Sequence, residues 1–270
     1  MSLEFRLIGI EKRDPFTIAA MDHAIFEECE AGKSPPTLVY HNWESSVSIA
    51  SAQPLSDLNH QECSRLGFKV VRMRSGGKAV VHFPDTEFTY SLFVPVNSIF
   101  EKDQIYQTYC GRIAKALENL SLPTAVVDNN DIFIDNKKIG GNAQRLNNRY
   151  SMQQGLILYE KPNAQIMLNL MNNSLYLSSA LDELNNILTG FNNYSNINQE
   201  ELRKALTEQI TDSSYHIGEL TNREKSRIDE LIPEYKDVKE IKSSIARGLC
   251  WLPAPSYLAR KQEVPQYAQS

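Results

Sequence analysis

Long hydrophobic runs are missing from this 270-residue chain. No stretch approaches the ~18 apolar residues that a membrane helix requires, so no membrane partner is expected. Cysteine is scarce as well. Cys29, Cys63, Cys110 and Cys250 form no CxxC pair and match no zinc spacing. His60 and Cys63 share one helical spacing but have no second ligand pair nearby, so no metal site is expected. A basic excess is also absent: the net charge is −5, which sets nucleic acid aside as a partner. There is no GxSxG elbow, no HExxH, no kinase set, no P-loop and no GxGxxG after a strand. The N-terminal stretch carries Glu4, Glu11 and Asp14, which a secretory leader would not, so a cytoplasmic location with reduced cysteines is expected.

What is present is a globular composition, 41% hydrophobic and 23% charged. Residues 16–31 place Ile18, Met21, Ile25 and Cys29 at helical spacing, and Gly32 with Pro35-Pro36 ends that helix. Short strands are predicted at 37–40 and 47–52, then a helix ending at Gly67. KVVRMR at 69–74 alternates as a strand, SGGK at 75–78 breaks it, and AVVHF resumes it. A further strand is predicted at 87–96. Residues 101–120 carry the stripe Ile105, Tyr109, Ile113, Ala116 and Leu120, a second amphipathic helix with Cys110 beside its apolar face. DIFID at 131–135 and KKI at 137–139 suggest a hairpin, and strands are expected at 152–160 and 165–170.

Beyond residue 170 the character changes. Eight of the thirty residues 171–200 are Asn, in a polar connection with a short helix at 178–189. Helices follow at 198–209 and 221–240, the second with the capping-box pair Thr221 and Glu224. The tail from Pro253 is expected to be irregular. The division that follows is a domain over 1–190 and a helical extension with its tail over 191–270.

Five cations (Arg65, Lys69, Arg72, Arg74 and Lys78) and no acid lie between Cys63 and Pro84, which points to an anionic ligand or an acidic partner patch. Two glycine pairs stand beside basic residues. One is Arg72-Met73-Arg74-Ser75-Gly76-Gly77-Lys78, the other Lys137-Lys138-Ile139-Gly140-Gly141-Asn142. Adjacent glycines let a backbone approach a ligand and aim N–H groups at it, and a nearby cation suits a phosphate or carboxylate. Turn geometry alone would also account for such pairs. His82 and Asp131 flank the two loops, and strand-end residues of these types serve hydrogen bonding or capping as often as chemistry.

The string from Val71 to His82 resembles the RRxSGGxAVxH loop of the lipoate-protein ligase A and octanoyltransferase superfamily. Asp131-Ile132-Phe133-Ile134 followed by Lys138 to Arg145 resembles that family's KIxGxAQR signature. Looser likeness extends over residues 16–170, through Ala20-Met21-Asp22, Trp43, Gln53 and Glu87 to Leu92. The resemblance implies an α+β fold: a mixed β-sheet catalytic domain of the biotin/lipoate ligase type, with flanking helices and a small C-terminal helical region. It implies transfer of a lipoyl or octanoyl group to one lysine of a lipoyl carrier domain, either the E2 component of a 2-oxoacid dehydrogenase or the glycine-cleavage H protein. It makes Lys138 the central lysine, set against the acyl carbonyl and its neighbouring phosphate. Arg72, Arg74, Ser75, Gly76, Gly77, Lys78 and His82 would then bind substrate or nucleotide on the first loop. Asp131, Gly140, Gly141, Asn142 and Ala143 would do so on the second.

There are departures. Met73 replaces a second arginine, Lys78 a third glycine or an arginine, Ala50 a glycine, and Gln154 a histidine. In the transferase branches a cysteine precedes the strand leading into the second signature. Thr124 to Asp131 contain none, and there is none from 111 through 249. The expectation is therefore a ligase that consumes lipoate, ATP and Mg²⁺, with a separate accessory chain as a possible helper for adenylation. The alternatives are an octanoyl or lipoyl transferase acting between carriers, favoured by length and by the EFTYSL and MDHA strings, or a degenerate homologue that only binds lipoate or its carrier.

Overall fold

Pro15 opens the first helix at a position where a missing N–H removes no hydrogen bond. Asp14 caps it, Oδ1 accepting from the N–H groups of Phe16 and Thr17 at 3.1 and 3.2 Å. Helix α1 (Pro15–Glu30) follows the apolar stripe read from the sequence, and Ile18, Met21, Ile25 and Cys29 are all buried. The computed structural model describes residues 3–123, 126–128, 130–172, 179–239 and 249–250. Thr124, Ala125 and Asn129 of the cysteine-free stretch, residues 173–178 of the Asn-rich connection and the tail from Pro253 lie outside the described residues.

Eight described strands form a mixed sheet. Its order is β11 (Tyr215–Ile217), β1 (Phe5–Arg13), β2 (Thr37–Trp43), β6 (Glu87–Pro95), β10 (Tyr150–Leu158), β9 (Lys137–Leu146), β8 (Asp131–Ile134) and β7 (Val126–Asp128). β1 runs parallel to both β2 and β11, and from β2 to β7 each pairing is antiparallel. A smaller sheet holds β3 (Ser46–Ile49) between a parallel β4 (Lys69–Arg72) and an antiparallel β5 (Val80–His82).

Alternation sends Leu38, Tyr40 and Leu92 to one face of the large sheet and Val39, Phe93 and Met152 to the other. On the first face α3 (Lys102–Asn119) and α6 (Gln199–Thr211) pack together, burying Ile113, Leu117 and Leu206. On the second face α1 packs against α7 (Asn222–Lys236), where Met21 and Ile25 share a core with Ile228 and Leu231.

The structure departs from the expected elements in three places. QIMLNL is not a strand but helix α4 (Ala164–Asn169), started by Asn163, whose Oδ1 accepts from Ile166 N–H at 3.0 Å. Met167 and Leu170 are the buried positions there, a helical interval that a short apolar run hides. The segments on either side of SGGK do not pair with each other; both pair with β3. Strands β1 and β11 carry no clear alternation, and it is their parallel pairing that makes them strands.

Candidate active site

Lys137 is exposed while Lys138 is only 3% exposed, as alternation on a strand requires. The Lys138 backbone is fixed by a bridge to Leu188, with Thr189 N–H donating to its carbonyl at 3.2 Å. Its ammonium donates to Asp131 Oδ2 at 2.6 Å and to the main-chain carbonyl of Cys250 at 3.0 Å. Asp131 opens β8, opposite Gly141 of β9. A side chain on Gly141 would stand 3.2 Å from Asp131 Oδ1 and 3.6 Å from Lys138 Nζ, so the ammonium lies directly over this glycine. Gly140 is closed in instead: a Cβ there would meet Ile157 Cδ1 at 2.7 Å and the Leu156 carbonyl at 2.8 Å.

The first glycine loop reaches the same strand. Gly76 N–H donates to Gln144 O at 3.2 Å, on the edge of β9 beyond the last β8 partner, Gly141. Gly77 has φ +104°, a conformation that side chains disfavour, and its missing Cβ would touch Ala143 at 3.6 Å. Ser51 N–H holds the Ser75 carbonyl at 2.9 Å. Lys78 then lies close enough to Lys138 for the two charges to interact. Burial, with Lys138 beside it, lowers the pKa of Lys78. Two lysines against Asp131 leave the region cationic, as a developing oxyanion or a phosphate requires.

The remaining candidate residues fall in different surroundings. Arg72 donates to the carbonyls of Ala50 (3.0 Å), Gln53 (2.5 Å) and Lys239 (3.1 Å), tying three backbone segments together. His82 is enclosed: Nδ1 is 2.5 Å from Glu87 Oε1, Nε2 is 2.8 Å from Ser48 Oγ, and the ring stacks on Trp43 at 4.0 Å. Asn142 faces the α3 side of the sheet. There its Oδ1 accepts from Gln153 Nε2 at 3.1 Å and from the Tyr90 hydroxyl. The five-cation segment is dispersed: Arg65 pairs with Glu62 and Lys69 with Glu44, while Arg74 and Lys78 turn toward the glycine strand.

Several site features carried no signal in the sequence. Cys250 N–H donates to the Ala79 carbonyl at 2.9 Å and Leu249 bridges Ala79, which brings residues 249–250 onto the loop. Burial pushes the Cys250 thiol up to about 12 against the pull of Lys138 and Lys78. Cys110 is also buried and raised to about 12. A small pocket adjoins Arg145 and Gln154 and is lined also by Asp22 and Phe26 of α1 and Tyr235 of α7. Among the described residues no three His, Cys, Asp or Glu side chains converge as metal ligands.

A family model described as the lipoyl protein ligase A/B catalytic domain matches residues 14–249. The octanoyltransferase LipM of Moorella thermoacetica is 25% identical over 267 residues, covering 86% of this chain and 95% of that protein. The octanoyltransferase LipM of Clostridioides difficile is likewise 25% identical, over 87% of this chain and 97% of its own. In structure, the bi-partite lipoate protein ligase of Thermoplasma acidophilum superposes with a TM-score of 0.79 at 18% identity, over 90% of this chain and all (100%) of that one. A lipoate-protein ligase A bound with ATP superposes with a TM-score of 0.73 at 18% identity, over 88% and 97% of the two chains. These two likenesses establish the fold: a mixed sheet with flanking helices, of the lipoate-ligase type.

Proposed function

Because the chain belongs to the lipoyl protein ligase A/B catalytic-domain family, we propose that it moves a lipoyl- or octanoyl-type acyl group from a carrier thioester to a lysine of a lipoyl carrier domain. One observation carries this reading: the buried Lys138 ammonium, held by Asp131 at 2.6 Å, already donates to a main-chain carbonyl oxygen at 3.0 Å. An acyl carbonyl in that place would receive the same bond. The acceptor lysine's neutral amine then attacks the carbonyl carbon. A C–N bond forms, negative charge gathers on the oxygen beside Lys138, and the C–S bond breaks. The departing thiolate takes the proton that the new amide nitrogen loses. Donors of this kind contribute ~3 kcal/mol or more in a water-poor site. Transfer from a carrier is supported by relatives named octanoyltransferase that align over nearly their whole length. Direct attack is supported by thiols at Cys110 and Cys250 that burial keeps protonated.

A second reading is favoured by the absence of any cysteine from 111 through 249: an ATP-dependent ligase. The cationic pair Lys138 and Lys78 suits a nucleotide phosphate, and ATP would supply the leaving group for a free acid. Incubation with an apo lipoyl domain and octanoyl carrier protein, and separately with lipoate, ATP and Mg²⁺, followed by intact mass, decides between them. Acylation in the first mixture supports transfer. Acylation only in the second supports the ligase, and acylation in neither removes both.

A further inference from the structure

The oxygen that Lys138 meets at 3.0 Å belongs to the chain itself, to residue 250. Leu249 bridges Ala79 in parallel, and Cys250 N–H donates to the Ala79 carbonyl at 2.9 Å. The two residues thus run as a short strap beside the first glycine loop, whose last member, Lys78, directly precedes Ala79. Leu249 is 1% exposed and lies in the core that also holds Ala79 and Val81. Its burial anchors the strap and carries the next carbonyl onto the ammonium.

The strap lies against both cations of the site, since the Cys250 thiol is close enough to Lys138 and Lys78 to interact with each charge. The two bonds of the ammonium differ in origin. Asp131 Oδ2, at 2.6 Å, comes from the neighbouring strand β8 and belongs to the frame of the site. The Cys250 carbonyl comes from far outside the two glycine strings and takes the place of a substrate oxygen. Two carbonyl oxygens cannot occupy that one position. Arg72 ties the chain separately at Lys239, donating to its carbonyl at 3.1 Å, so loss of the contact at 249–250 leaves α7 held.

We infer that residues 249–250 form an autoinhibitory strap: the Cys250 carbonyl stands in for the acyl carbonyl at Lys138, and the strap must leave before an acyl group can be held there. The inference rests on the acyl-transfer reading, because that reading puts the acyl oxygen at this position. A site that is strapped most of the time binds its substrate more weakly, in proportion to the fraction of molecules in which it is open. Loosening the strap therefore raises apparent affinity. Loosening a mere support for Lys138 would instead lower turnover.

Two variants of the full chain loosen the strap without touching Lys138. Leu249→Ala shrinks its anchor, and Cys250→Pro removes the N–H that donates to Ala79. Each should lower the KM for octanoyl carrier protein by about 3–10-fold, with kcat unchanged or higher. Melting temperatures separate a loosened strap from a lost fold. In the unsubstituted chain, alkylation of Cys250 by iodoacetamide, read by peptide mass, follows the strap directly. A released thiol returns toward its ordinary pKa of ~8.5 and reacts faster. Octanoyl carrier protein, added without an acceptor domain, should speed that alkylation at least ~10-fold, with the buried Cys29, Cys63 and Cys110 as controls. Leu249→Ala should speed it with no donor present. A KM that stays fixed or rises in the folded variants overturns the strap, and so does alkylation that the donor leaves unchanged while transfer proceeds. Transfer from no donor in any variant would instead count against the function proposed above, and the strap's role would fall with it.

Discussion

The Lys138 ammonium stands 2.6 Å from Asp131 Oδ2, a contact between neighbouring strands that fixes a buried cation over the bare backbone of Gly141. Lys137, next in sequence, is exposed. Lys138→Ala should therefore lower acyl transfer by at least ~10², the usual loss for one preorganised oxyanion donor. Lys137→Ala should change the rate by less than ~10-fold, as surface substitutions do. Steady-state rates on an apo lipoyl domain check this; equal, mild effects would return both lysines to an ordinary hairpin role.

The two glycines of the second pair should fail differently when replaced. A methyl group on Gly140 meets a backbone carbonyl at 2.8 Å and Ile157 at 2.7 Å, so Gly140→Ala should destabilise the fold by about 1–3 kcal/mol. At Gly141 the nearest atoms are Asp131 Oδ1 at 3.2 Å and the end of the Lys138 side chain. Gly141→Ala should therefore leave the melting temperature nearly unchanged while lowering turnover. Denaturation curves run beside activity assays separate the two cases.

His23 gives the fold a dependence on mild acid. Burial, and next the Arg74 guanidinium, lower its pKa to about 4. The unfolded chain binds a proton near ~6.5, so in the interval between, protonation favours unfolding. Stability should be complete above ~6.5 and decline as pH falls toward about 4. His23→Gln should flatten that part of the profile. A slope that the variant leaves unchanged would assign it to other groups.

A second, more acidic loss should come from Glu224. Burial alone would raise its pKa. Bonds from Arg6 at 2.7 and 2.9 Å, from Thr221 N–H at 2.7 Å and from Ser34 at 2.8 Å outweigh burial and hold it low. Its contribution is present above the ordinary carboxylate value of ~4.3 and is lost as pH falls below it. Glu224→Ala leaves Arg6, itself 4% exposed, without its carboxylate and should cost about 3–5 kcal/mol at neutral pH. Chemical denaturation of the variant measures it.

Much of the candidate site was legible because it lies in two short strings. Each string sets glycines and a lysine within a few residues, and strand alternation separates Lys138 from Lys137. The pocket was not legible. Asp22, His41, Ser91 and Gln154 come from four different elements, and only the register of β2, β6 and β10 brings them together. Arg72 read as a ligand residue beside a glycine loop, yet its hydrogen bonds go to carbonyls up to 167 residues away. The Cys250 carbonyl could not be foreseen at all, since a main-chain oxygen leaves no mark on composition or spacing. QIMLNL illustrates a narrower limit: six residues are too few for apolar periodicity to separate helix from strand.

The position of β1 between β2 and β11 has a consequence for how the chain is made. The first strand finds its second neighbour only when residues 215–217 are available, and α1, which also packs on β4, β6 and β10, gains its most extensive partner only with 222–236. A ribosome releases these partners long after β1 and α1, so through that interval the growing chain carries an open parallel edge and an apolar helix covered on one side only. Premature termination before Tyr215 would leave that edge open permanently, making truncated products aggregate rather than fold into a smaller working protein. The outer edge of β1 is thus covered only after every strand from β2 to β10 has been made, and β11 then stands as the outer strand of the sheet.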